Sequence, residues 1–171
     1  MDEKKIQEYK GILRRTDVFY DLSDPQLEMV AGICKESEYR MGEIVFKENT
    51  AGNELYVIAQ GEVEILLDPA LVQTSPDPKS EPVSIATLRA GQTFGEVALV
   101  DQGLRTASAR CATRRAWLLM ISRERLTTLC ESYPDLGYRV MRNLAADLAF
   151  KIRGTDLLIR EQLLWRPRSQ V

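Results

Sequence analysis

The sequence contains no histidine among its 171 residues. That absence excludes Ser-His-Asp and Cys-His nucleophilic catalysis, and every zinc site that needs an imidazole. Cysteine is nearly as scarce. Cys34, Cys111 and Cys130 stand far apart, form no Cys-x-x-Cys pair and are odd in number, which suits no closed disulfide framework. Buried, reduced thiols in a reducing compartment are expected. No apolar run is long. The longest, Ala116 to Ile121, falls far short of the ~18 residues a membrane helix requires. The N-terminal Met-Asp-Glu-Lys-Lys has no apolar segment behind it, so no secretory signal is visible. A cytoplasmic location with no membrane partner is expected. An excess of one charge is also missing: 23 Lys plus Arg against 25 Asp plus Glu leave a net charge of -2. A dedicated nucleic-acid binder calls for a strongly basic surface, so no DNA partner is expected. There is no Walker motif and no metal-ligand cluster, so the chain reads as neither an enzyme nor a metalloprotein.

What is present suits a globular domain: 44% hydrophobic and 28% charged residues. The length corresponds to one domain with an appendage. Residues 1–40 read as helical. Ile6, Tyr9, Ile12 and Leu13 recur at helical spacing, and Leu22-Ser23-Asp24-Pro25 is a helix start. Leu27, Val30, Ala31 and Cys34 give a second apolar stripe. Residues 43–120 read as short strands with frequent glycine turns, the pattern of a sandwich or barrel. The strands are Ile44–Phe46, Leu55–Ala59, Val63–Leu67, Val83–Leu88 and Ala116–Ile121. In the third, Val63, Ile65 and Leu67 alternate with Glu62, Glu64 and Leu66, as in a half-buried strand. Asp68 to Pro82 holds four of the seven prolines and reads as a long exposed loop.

From Arg123 the chain is helical again: a short helix to Glu131, then a long one from Pro134 to about Trp165. Met141, Leu144, Leu148, Ile152, Thr155, Ile159 and Leu163 form one apolar line, and Phe150, Leu157 and Leu164 a second on another face. Two apolar faces imply two packing partners. A body of residues 1–133 and a lid and dimerisation helix with its tail, 134–171, are the expected parts.

Chemistry concentrates in Gly91 to Arg110. Gly95 lets the backbone turn sharply and approach a ligand. Glu96 follows, and then Val97 to Val100 is long enough for one helical turn, whose free N–H groups favour an anion. Nine residues beyond Glu96 stands Arg105, whose guanidinium can hold a phosphate with paired charge-assisted hydrogen bonds. Thr106 and Ser108 add hydroxyls. Such a set suits a ligand carrying both a phosphate and a sugar hydroxyl. The simpler reading of a Glu and an Arg at this spacing is an ion pair.

The stretch Phe94-Gly95-Glu96-Val97-Ala98-Leu99, followed by Arg105-Thr106-Ala107-Ser108, resembles the phosphate-binding cassette of the cyclic nucleotide-binding domain family. That family includes the catabolite activator protein, the protein kinase A regulatory subunit and cyclic-nucleotide-gated channels. Met41 to Phe46 and Glu54 to Glu64 resemble the family's first strand and central hairpin, so the likeness spans roughly residues 15–155. It implies an α+β fold: a jelly-roll-like antiparallel β-roll of about eight strands, with N-terminal helices and a long C-terminal helix. It implies that Glu96, beside the Gly95 backbone, binds a ribose 2′-hydroxyl. Arg105 would bind the cyclic phosphate, helped by Thr106, Ala107 and backbone N–H groups around Val97 and Ala98. The long helix would cover the base, with Lys151, Ile152, Arg153 and Thr155 nearest. The expected ligand is cyclic AMP ahead of cyclic GMP. The expected role is a stand-alone sensor that signals to another protein by a conformational change, as a homodimer. The alternative is a degenerate, ligand-free scaffold; the presence of both Glu96 and Arg105 argues against it. The family's bacterial regulators continue into a helix-turn-helix, for which no residues remain before Val171.

Overall fold

A computed structural model describes residues 2–69, 81–101 and 103–164. Two helices open the chain, α1 (Glu3–Leu13) and α2 (Asp24–Ile33), separated by a short 3-10 turn at Asp17–Phe19. Asp2 caps α1 by accepting from the Lys4 N–H. The backbone N–H of Ser23 donates to the Gln26 side chain at the head of α2, 2.9 Å. Eight strands follow: β1 (Cys34–Arg40), β2 (Ile44–Phe46), β3 (Glu54–Gln60), β4 (Glu62–Leu67), β5 (Val83–Arg89), β6 (Thr93–Phe94), β7 (Ser108–Cys111) and β8 (Arg115–Ser122). The one-and-a-half-turn helix α3 (Glu96–Asp101) interrupts them, and α4 (Arg123–Ser132) and α5 (Pro134–Leu164) close the chain.

The strands form two four-stranded antiparallel sheets, in the orders β1-β8-β3-β6 and β2-β7-β4-β5. This is the jelly-roll-like β-roll expected, with helices at both ends of the chain. In the sheet β1-β8-β3-β6 the central strands β8 and β3 are buried on both faces, so they are apolar at successive positions. Tyr56 and Ile58 of β3, with Ala116 and Leu118 of β8, face the interior of the roll and meet Val63, Phe94, Ala109 and Cys111. Leu55, Val57, Leu119 and Ile121 face the other way, against α1, α2, α4 and α5. The helical core so formed is closed by Leu13, Phe19, Leu27, Leu126, Leu136 and Leu144.

Four expectations need correction. Residues 34–40 are strand β1, not helix. Their polar, alternating side chains suit a sheet edge whose pairing partner is β8 on one side only, and that pairing overrides local propensity. The alternation in β4 breaks at a register shift between Ile65 and Leu66. As a result Val63 and Leu66 are buried, while Ile65 and Leu67 are half-buried. The long line on α5 is not one buried stripe. The helical core takes Leu136, Val140 and Leu144, with Leu148 against its rim, while Met141, Ile152, Thr155 and Ile159 are exposed. A 31-residue helix is about 46 Å long, more than the body it packs on can cover. The Leu163 side chain lies outside the described residues. Finally, Cys34 and Cys111 are buried free thiols, but Cys130 is half-buried. The strands β6 and β7 were not anticipated; one is two residues long and the other, Ser-Ala-Arg-Cys, carries little apolar signal. The loop between β4 and β5 lies outside the described residues over 70–80.

Candidate functional site

The site gathers where β6 gives way to α3. Gly95 makes the turn with φ +84°, in the left-handed region that favours glycine. Space also demands glycine there, since a Cβ would stand 2.6 Å from Arg105 Nη1 and 2.8 Å from the Glu54 carbonyl oxygen. The turn places Glu96 at the first position of α3, buried, with its carboxylate toward a cavity of about 500 Å³. Its Oε1 pairs with Lys151 Nζ of α5 at 3.1 Å. Its Oε2 is buried and without a hydrogen-bond partner among the described residues.

Arg105 reaches the same cavity from the segment between α3 and β7. Its backbone is tied to the loop after β2: its N–H donates to the Thr50 carbonyl, and its carbonyl accepts from the Asn49 N–H, both 2.9 Å. The side chain is only 3% exposed. Nη1 donates to the carbonyl oxygens of Gly95 and Glu54, 3.0 and 3.1 Å, and Nη2 to the Glu54 carboxylate, 3.1 Å. The guanidinium lies over the Phe46 ring, 4.2 Å from its centroid, a cation–π contact in a low-dielectric setting. Phe46, Tyr56 and Phe94 form one aromatic cluster beneath it. Burial and the nearby Glu54 carboxylate push the Tyr56 hydroxyl up to about 12, so it stays protonated there. The Nε of Arg105 is buried and unpartnered. Glu96 and Arg105 do not pair with each other; each has a different partner, Lys151 and Glu54.

The remaining predicted residues divide. Gly95, Val97, Thr106 and Ala107 line the cavity beside Glu96 and Arg105. Ala98 lies in α3, and its side chain is outside the described residues. Of the four α5 positions, Lys151 and Thr155 line the cavity, whereas Ile152 and Arg153 are exposed and do not line it. Gly154 and Ile159 of α5 stand on the same wall. The reason is helical phase: positions 151, 155 and 159 repeat at steps of four on one face, and 152 and 153 turn away from it. Ile65, Leu67, Ile85 and Leu88 make the opposite, apolar wall.

Sequence reading also missed Glu54 as the partner of Arg105, and Gly52 as the residue that makes room for it. A Cβ on Gly52 would fall 2.0 Å from Arg105 Nε. Both lie some 50 positions from Arg105, so no local spacing links them. Asp147, which pairs with Lys151 at 2.8 Å, was within reach of inspection, because acid and base stand four residues apart on one helix. Among the described residues no group of three or more Cys, Asp or Glu side chains is placed to hold a metal ion. Nor is any helix long and apolar enough to cross a membrane.

Comparison with known proteins bears on this geometry. Residues 36–133 match the family model described as the cyclic nucleotide-binding domain. The cyclic AMP receptor protein of Thermus thermophilus is 30% identical over 145 residues, 85% of this chain and 61% of that protein. A cGMP-dependent protein kinase, isozyme 2, of Drosophila melanogaster is 26% identical over 133 residues, 77% of this chain but 14% of the kinase. The chain thus spans less than two thirds of either relative. Among solved structures, a cyclic nucleotide-binding domain from Methylobacillus flagellatus superposes with a TM-score of 0.76 at 23% identity, covering 92% of this chain and 84% of that one. The Thermus thermophilus catabolite activator protein superposes with a TM-score of 0.70 at 27% identity, covering 86% and 63%.

Proposed function

The chain belongs to the cyclic nucleotide-binding domain family, and on that premise we propose that it senses cyclic AMP and passes the signal to another protein through α5. One observation carries the reading. A buried carboxylate and a buried guanidinium line one cavity, each with a single polar atom left without a partner, Glu96 Oε2 and Arg105 Nε. Leaving such atoms unpaired costs stability. A ligand with a hydroxyl to donate to the first and a phosphate oxygen to accept from the second answers both. Thr106 and Ala107 flank the phosphate end.

The base end supports adenine over guanine. Its walls are apolar, and Thr155 brings a hydroxyl to the α5 side. That hydroxyl donates its proton to the Lys151 carbonyl, 3.0 Å, so it presents acceptor lone pairs. Adenine carries an amino donor at the ring position where guanine carries an acceptor oxygen. Cyclic AMP is expected to bind about tenfold tighter than cyclic GMP, the cost of one unmatched polar contact. Calorimetric titration with both, and with a linear nucleotide, tests the reading: no binding of either cyclic nucleotide overturns it in favour of a ligand-free scaffold. Glu96→Ala is expected to weaken cyclic AMP more than its 2′-deoxy analogue. Equal losses for the two would remove the hydroxyl role from Glu96.

The downstream half of α5 supports a homodimer as the signalling form. Phe150, Leu157 and Leu164 are 71%, 58% and 83% exposed on one helix face, and nothing among the described residues buries them. Apolar residues repeated at steps of seven make a seam that a second copy of the same helix can cover in a twofold arrangement. Light scattering is expected to give a dimer for the cyclic-AMP-bound wild type and a monomer for Leu157→Glu/Leu164→Glu. A wild type that is monomeric with and without cyclic AMP refutes the dimer.

A further inference from the structure

Helix α5 changes character at Lys151. Before it, the helix is anchored: Leu136, Val140, Asn143 and Leu144 are buried. The Asn143 amide donates to the carbonyl oxygens of Val18 and Tyr20, 3.3 and 2.7 Å. After it, every side chain among the described residues up to Leu164 is exposed. Lys151 itself sits at the boundary, and its ammonium meets three acceptors. These are the Thr93 carbonyl of β6 at 3.0 Å, Glu96 Oε1 of α3 at 3.1 Å and Asp147 Oδ2 on its own helix at 2.8 Å. The Thr93 contact is a hydrogen bond and the two carboxylate contacts are ion pairs, and two of the three partners belong to the roll.

We infer that Lys151 is a clamp that fixes α5 to the roll without any ligand, and that the part of the helix free to respond begins immediately after it. Charge strengthens the argument. Glu96 and the 15% exposed carboxylate of Asp147 share this one ammonium. Removing the positive charge leaves two poorly solvated carboxylates facing each other across the contact between α5 and the roll, which drives them apart. Beyond the clamp, Gly154 has no neighbour within 4 Å of where a Cβ would stand, so no packing holds the helix there. The cavity wall formed by Gly154, Thr155 and Ile159 therefore belongs to the free half. On the binding reading above, a ligand orders residues 152–164 rather than closing the whole helix; ligand can do so only by binding the ordered state more tightly.

Hydrogen exchange on the full, ligand-free chain tests the clamp. In the wild type, amides of α5 are expected to exchange slowly up to about residue 151 and quickly beyond it. In Lys151→Met the fast region should extend back over 144–151, with exchange there at least about fivefold faster. Lys151→Arg keeps the charge and should keep the wild-type boundary, and Glu96→Gln should loosen the same segment from the roll side. Adding Glu96→Gln to Lys151→Met should partly reverse the effect of Lys151→Met, since it removes one of the two facing carboxylates. Unchanged exchange over 144–151 in Lys151→Met, or slow exchange past residue 160 in the ligand-free wild type, overturns the clamp. Cyclic AMP should then slow exchange over 152–164 in the wild type. Binding seen by calorimetry without that slowing overturns the assignment of the free half. Absence of binding overturns the sensor reading, while the ligand-free comparisons still decide the clamp.

Discussion

Replacing Arg105 by Ala is expected to weaken cyclic AMP binding by about tenfold to 150-fold. The substitution removes a charge-assisted contact worth about 1.5–3 kcal/mol, and each 1.4 kcal/mol is a factor of ten in affinity. It also strips the Glu54 carboxylate and the Gly95 carbonyl of their donor. Partial loss of stability should therefore accompany the loss of affinity, and denaturant unfolding should show it. The two effects are separable. Glu54→Gln removes the ion pair but keeps the guanidinium, so it should lower stability while retaining more affinity than Arg105→Ala. Calorimetry decides the matter: equal affinity for cyclic AMP in wild type and Arg105→Ala would mean that the phosphate is held elsewhere.

Gly52→Ala is expected to approach Arg105→Ala in its effect on binding, at least about tenfold, although Gly52 carries no side chain to touch a ligand. The added methyl would stand 2.0, 2.4 and 2.5 Å from Nε, Cζ and Nη2 of Arg105. A guanidinium is ordinarily free to swing away. This one is held by Glu54 and Gly95 on one side and by the Phe46 ring on the other, so accommodating the methyl breaks contacts that position it. Arg105→Ala/Gly52→Ala should bind no worse than Arg105→Ala, because both substitutions act on the same group. Wild-type affinity in Gly52→Ala would show that the guanidinium's placement against Gly52 has no part in binding.

Gly52 illustrates why part of the site could not be read from the chain. Its contact with Arg105 spans more than fifty residues and arises because the bridge between Ala51 and Leu104 lays the two segments side by side. Glu54 is the same case. By contrast the cassette from Phe94 to Ser108 was legible because its chemistry is local: a glycine with positive φ, a carboxylate one residue on, one and a half turns of helix, and an arginine at fixed spacing. The strands read most clearly were those with apolar residues at successive or alternate positions. β1 escaped because its polar residues find a sheet only by pairing with β8, 87 residues away where Cys34 meets Ile121, a pairing no local window contains.

The sequence by itself determined the class of fold, the order of the helices and of the apolar strands, and the type of group that α3 and its flanks present, since hydrophobic period, turn residues and side-chain chemistry are properties of short segments. Tertiary structure alone decided which partner each charged group takes. Glu96 and Arg105, nine residues apart in one motif, turned to different counter-ions. Lys151, one of four neighbouring candidates on α5, became a contact of the carboxylate, while Ile152 and Arg153 faced away from the cavity. Such choices depend on which backbone passes within about 3 Å of a buried charge, where the low dielectric makes an unpaired group costly, and that proximity is created only when the roll closes and α5 is laid across it.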